Sequence, residues 1–119
     1  MKATLADRIG HIKNAIANIR AVVGTSSAEE IGRDPIRRAA LERFLEIISE
    51  ASRYIPEDRR ASHADVPWRS IADLGNRLRH VYDNIDLDIL VVIATKQLDA
   101  FEAAIDGILA DENAVDRPG

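Results

Sequence analysis

Apolar residues return every third or fourth position over most of this chain, and no stretch alternates apolar and polar residues in the period-two rhythm of a strand. The first stripe is the cleanest. Leu5, Ile9, Ile12, Ile16, Ile19 and Val23 are separated by four, three, four, three and four positions, which puts all six on one face of a helix. Gly24 follows where a residue with positive φ commonly closes a helix. His11 lies beside the stripe and reads as a surface histidine.

The same rhythm continues. Ser26 with Glu29 fits a capping box for a short helical turn, and Asp34–Pro35 reads as a cap followed by the first residue of a second long helix, to about Arg53. Ile36, Ala40, Phe44, Ile47 and Ala51 mark its expected inner face, widened by Leu41, Leu45 and Ile48. Glu42, Glu46 and Glu50 form an acidic row. Such a row is ordinarily a solvated flank, and the sharper alternative is that Glu46 or Glu50 anchors an arginine of the third helix. Tyr54 to Val66 is irregular, with a charged turn at Glu57–Arg60 and a solvated His63. Pro67 suits the first turn of the third helix, whose apolar stripe is Ile71, Leu74 and Leu78. Asp83–Asn84 favours a turn, and Asp86 caps a last helix with Leu90, Ile93, Leu98, Phe101 and Ile105 inward, ending near Ala110.

The expected fold is therefore all-α, an up-and-down bundle of four main helices in one domain over residues 1–112, with a polar tail at 113–119. Aromatic residues are only 4% of the chain, so the core has to be aliphatic. The absence of cysteine excludes disulfides, thiolate metal sites and a cysteine nucleophile. The amino terminus is charged throughout, so neither a signal peptide nor a membrane span is expected, and cytoplasmic residence is. A net charge of −4 argues against a protein that grips nucleic acid through many phosphate contacts. A local basic pocket is compatible with it.

Such a pocket has a natural place at the end of the third helix, where Asn76, Arg77, Arg79, His80 and Tyr82 crowd into seven residues. Asp73, Asn76, Arg77 and His80 fall on one face at helical spacing. Histidine exchanges protons near neutrality, a carboxamide orients an imidazole or holds a phosphate oxygen, and a guanidinium stabilises phosphoryl charge. Tyrosine adds a hydroxyl or a face for a base. These parts suffice for RNA cleavage by the ribose 2′-hydroxyl, and one histidine among scattered carboxylates has no metal-ligand spacing. The plain alternative is a set of basic residues that complement the carboxyl end of a helix.

The chain also resembles the HepT-like proteins, the branch of the HEPN superfamily that accompanies minimal nucleotidyltransferases. The resemblance rests on the amphipathic first helix, LERFLEIISEASRYIP at 41–56, PWRSIADLGNRLRHVYDNIDLDIL at 67–90 and the closing helix. Trp68, Asn76, His80 and Tyr82 match the family's third-helix pattern; Ser49 stands where glycine is common, and Gly75 where the family carries arginine. The resemblance implies a homodimeric, metal-independent ribonuclease, the toxin of a toxin–antitoxin pair, needing no cofactor, with two copies of the motif in one cleft. It implies a nucleotidyltransferase antitoxin as partner, able to adenylylate Tyr82 and so put negative charge where an RNA phosphate would sit. With Gly75 in place of arginine, the guanidinium has to come from Arg77 or Arg79. Glycine within a helix suggests close approach of two site helices across a dimer. Two other readings remain open: a non-catalytic subunit that holds a nucleotide or docks a nucleotidyltransferase, and a purely structural helical dimer.

Overall fold

In the computed structural model, residues 3–80 and 86–116 are described, and they are helical with short connections. Helix α1 spans Leu5–Val23, α2 Ala28–Gly32, α3 Pro35–Ser52, α4 Glu57–Ala61 and α5 Trp68–Arg79. The last long rod runs from α6 (Leu87–Val92) through a π-helical turn (Ile93–Gln97) into α7 (Leu98–Asp116). No strand occurs among the described residues.

Helices α1, α2, α3 and α6 begin where a side chain can satisfy free N–H groups of the first turn. Thr4 and Asp7 make a reciprocal capping box on α1, with Asp7 Oδ2 accepting from the Thr4 N–H at 2.9 Å. That bond, with the Thr4 hydroxyl, holds the Asp7 carboxyl below its ordinary pKa of 3.8. The α2 box is Ser27 with Glu30, one residue later than the Ser26–Glu29 pair expected. Ser26 is engaged elsewhere. Its hydroxyl accepts from the Arg37 guanidinium, which also donates to the Val22 and Val23 carbonyls and closes the end of α1. Gly24 has φ +51 and supplies the reversal there, as its position promised. Asp34 caps α3 with Pro35 at its first turn, and Asp86 caps α6.

Charge pairs give the topology. Lys13 meets Glu102 and Asp106 of α7, while Arg20 meets Glu102 and Asp99, so α1 and α7 run antiparallel. The α1 guanidinium of Arg8 stacks 3.7 Å over the Tyr54 ring just past α3, so α1 and α3 are antiparallel as well. Ser49 of α3 and Arg53 just past its end reach Ala72 of α5, and Ser49 also reaches Gly75, which makes that pair antiparallel too. The core is aliphatic: Ile9, Ile12, Ile16 and Ile19 of α1 against Leu41, Leu45 and Ile48 of α3 and Leu98, Ile105 and Ile108 of α7.

Three expectations need correction. Ile36 is 82% exposed, because the inner face of α3 follows Leu41, Leu45, Ile48 and Ser52, and Ile36 lies ahead of the first of these contacts. The last helix does not stop near Ala110 but continues to Asp116, tied along the way by Arg59 to Glu112 at 2.8 Å. It also contains the π turn, where the Thr95 hydroxyl donates back to the Val91 carbonyl. The five-residue step from Ile93 to Leu98 is the sequence trace of that extra residue. Within it, Ala94 is buried and Ile93 is left half-buried at the surface.

Leu41→Ala is expected to cost about 2–5 kcal/mol in urea denaturation, the range for a fully buried leucine. Ile36→Ala is expected to stay within about 0.5 kcal/mol of the natural chain. The depressed Asp7 carboxyl stabilises the fold above its ordinary pKa, and that contribution is lost as pH falls through the lower folded value. The difference in melting temperature between the natural chain and Asp7→Asn should therefore shrink as a titration series passes below pH 3.8.

Candidate functional site

Helix α5 is aimed by its start and by one buried contact. At its start the Trp68 indole N–H lies 3.1 Å from the carbonyls of both Arg60 and His63, and its ring meets Phe101 edge-on at 5.9 Å. Pro67 precedes the helix as its cap residue rather than lying within the first turn. His63 is not a free loop histidine: it is half-buried against Gly107, and its carbonyl receives Trp68.

In the middle, Gly75 is buried and touches α3 of the same chain. The Ser49 hydroxyl, 1% exposed, donates to the Ala72 carbonyl at 3.0 Å and accepts from the Gly75 N–H at 3.0 Å. Arg53 donates to the same Ala72 carbonyl at 2.8 Å. A β-carbon on residue 75 would fall 2.4 Å from Ser49 Oγ and 2.8 Å from Ser49 Cβ. Within one chain, the close approach that calls for glycine is therefore between α3 and α5. Glu46 likewise pairs with Arg43 of its own helix at 3.2 Å rather than with an arginine of α5.

At its end, α5 divides the expected cluster. The Arg79 guanidinium donates to Asn76 Oδ1 at 2.6 Å, so these two form a unit. Arg77 turns to the other side and lines a groove of about 360 Å3 with Ser70, Asp73, Ile89 and Gln97. His80 no longer belongs to the helix. Its backbone is extended, with φ −92 and ψ 112, and only its N–H reaches back, to the Arg77 carbonyl at 3.3 Å. The expectation that Asp73, Asn76, Arg77 and His80 share one helical face therefore ends at Arg77, and Asn76 holds an arginine rather than the imidazole. Asn76, Arg77, Arg79 and His80 are all exposed. Tyr82 and the Asp83–Asn84 turn lie outside the described residues. No group of three or more histidine or acidic side chains that could hold a metal occurs among the described residues.

What the sequence reading missed is the partner of this helix: Ser49 of α3 and Arg53 just past its end, two polar residues that bond directly to the α5 backbone. The available signal was Ser49 itself, a serine in an apolar run one turn from Leu45.

Comparison with known proteins bears on the whole of this arrangement. Residues 12–108 match the family described as "Ribonuclease HepT-like". The chain belongs to that family. It is 34% identical over 86 residues to a "Putative RNase" of Caldanaerobacter subterraneus subsp. tengcongensis, a match covering 72% of this chain and 77% of that protein. It is also 34% identical over 90 residues to a "Probable ribonuclease HepT" of Thermococcus cleftensis, covering 76% of this chain and 82% of that one. A "Putative RNase" of Methanocaldococcus jannaschii is 47% identical over 62 residues, covering 52% and 56%. No solved structure matches the chain. In this HepT-like protein, packing of α5 against Ser49 of α3 leaves room only for glycine at position 75.

Because Asn76 and His80 are exposed and neither holds the core, Asn76→Ala and His80→Ala should unfold within about 0.5 kcal/mol of the natural chain. Urea melts of the purified variants check this, and they establish that any loss of activity in them is chemical.

Proposed function

We propose that this chain is a ribonuclease that cleaves RNA internally and without a metal ion, the toxin of a toxin–antitoxin pair. The reading is carried by the match of residues 12–108 to the HepT-like ribonuclease family, which runs from within α1 to within α7 and takes in every helix between them. It is supported by an exposed histidine that leaves the end of α5 just beyond an asparagine-held guanidinium.

In the reaction the ribose 2′-oxygen attacks the adjacent phosphorus and the 5′-oxygen of the next nucleotide leaves. One proton departs the 2′-hydroxyl and one arrives on the 5′-oxygen. His80 exchanges protons in these steps. Arg79, pre-oriented by Asn76, binds the non-bridging phosphate oxygens as charge builds on them. Arg77, on the groove side, serves the RNA backbone or the partner chain. Tyr82, two residues beyond His80, is the position a nucleotidyltransferase antitoxin would adenylylate, and the added phosphate would repel RNA from the site.

The working form in this reading is a homodimer. Helix α5 packs on α3 but leaves an apolar groove of about 350 Å3 towards the C-terminal rod, walled by Val66, Ile71, Leu74, Leu98 and Phe101. Ile89, 51% exposed, and Val92, 43% exposed, stand beside it on α6. A hole and a knob on one face suit a second copy of the same chain, each filling the other about a two-fold axis. The rim carries both signs, Lys96 and Arg77 with Asp65, Asp73 and Asp88, which suits a second copy better than a polyanion.

Glycine at position 75 favours one second reading, a non-catalytic subunit that holds a nucleotide or docks a nucleotidyltransferase. Cleavage of total RNA in excess chelator separates the two. The ribonuclease reading expects cleavage that falls by about 10²-fold or more in His80→Ala; no cleavage by the folded natural chain would favour the second. Ile89→Asp should leave the chain folded and convert the dimer to monomer in light scattering. A natural chain that is already monomeric would remove the dimer from this account.

A further inference from the structure

The Ser49–Gly75 contact carries a consequence for how this site is built, and it rests on the ribonuclease reading above only in its functional half. A residue-75 β-carbon meets two atoms of Ser49, not one. Rotating the serine hydroxyl away would relieve the 2.4 Å approach to Oγ but not the 2.8 Å approach to Cβ, which no rotamer moves. The next nearest atom is the Glu46 carbonyl oxygen at 3.9 Å, an ordinary contact distance. Room at position 75 is therefore controlled by one residue. With glycine at 49, both close atoms vanish and a β-carbon at 75 has only ordinary contacts at the present separation of α3 and α5.

We propose that positions 49 and 75 form an exclusive pair, in which only one can carry a side chain, and that Ser49 is a positioning residue of the ribonuclease site. In this chain the side chain is on α3. Its hydroxyl, between the Ala72 carbonyl and the Gly75 N–H, fixes the backbone turn that leads into Asn76 and Arg79. The guanidinium that cannot stand at 75 is supplied one turn later, on the same side of α5, by Arg79, which Asn76 holds at 2.6 Å. Serine at 49, glycine at 75 and the Asn76–Arg79 bond are thus three parts of one arrangement.

The test is a mutant cycle with two readouts. In thermal melts, helix propensity and packing predict opposite signs. Alanine is the better helix former, so propensity alone predicts that Gly75→Ala raises the melting temperature. The exclusive pair predicts a fall of about 5 °C or more in the natural chain and a rise in the Ser49→Gly background. The same sign in both backgrounds overturns the pair. In RNA cleavage, Arg79→Ala should lose about 10²-fold in kcat in the natural chain. In the Ser49→Gly, Gly75→Arg chain, where a guanidinium stands at 75, Arg79→Ala should lose about tenfold less than that. An equal loss in both backgrounds overturns the assignment to Arg79. If the natural chain cleaves no RNA while the melts still reverse sign, the ribonuclease reading fails and the exclusive pair stands.

Discussion

The contact between the Ser49 hydroxyl and the α5 backbone is the one on which the candidate site depends. Helix α5 is short, has no side-chain cap at its N-terminus, and buries only Gly75 fully. It is held chiefly from one side, by α3, and from its start by Trp68. A polar hydroxyl enclosed at a helix interface is costly unless both its donor and acceptor capacity are met, and here both are. The reward is directional. An apolar contact would let α5 slide or rotate on α3, whereas two hydrogen bonds to Ala72 and Gly75, joined by Arg53, set its register.

That register decides which side chains can act together. With α5 fixed by its 72–75 turn, Asn76 and Arg79 fall beside one another, Arg77 falls on the groove side, and the chain leaves the helix at His80. A helix drawn without its neighbour would put Arg77 with Asn76 and His80. The local bond between Asn76 and Arg79, and the extended backbone at His80, outweigh that periodicity. The same side of the molecule that leaves Ile71 and Leu74 half-buried also leaves Ile89 and Val92 exposed, so the site helix borders an apolar face.

Much of the fold was legible because its signals are local. The stripe from Leu5 to Val23, the Asp34–Pro35 start and the Asp86 cap all depend on residues within a turn of each other, and each is found as read. The misreadings share a different cause. Ser26 was assigned to a cap it loses to Ser27, because a distant Arg37 claims its hydroxyl. Ile36 looked internal by periodicity, but no neighbouring helix covers it. The glycine at 75 announced a close approach without saying to what. Its partner lies 26 residues away, and no rule of spacing within α5 could name it. The candidate cluster was chosen from residue type and proximity, while the split between Arg77 and Arg79 required the structure.

The most direct test of the account is the chemistry of the RNA ends. Attack by the 2′-oxygen predicts fragments ending in a 2′,3′-cyclic phosphate and beginning with a 5′-hydroxyl, formed in chelator, and no cleavage where the scissile nucleotide carries a 2′-deoxy sugar. Mass spectrometry of a short defined RNA incubated with the purified chain reads both. Fragments with 5′-phosphate and 3′-hydroxyl ends, or cleavage at the 2′-deoxy position, would contradict the mechanism assigned to His80 and Arg79.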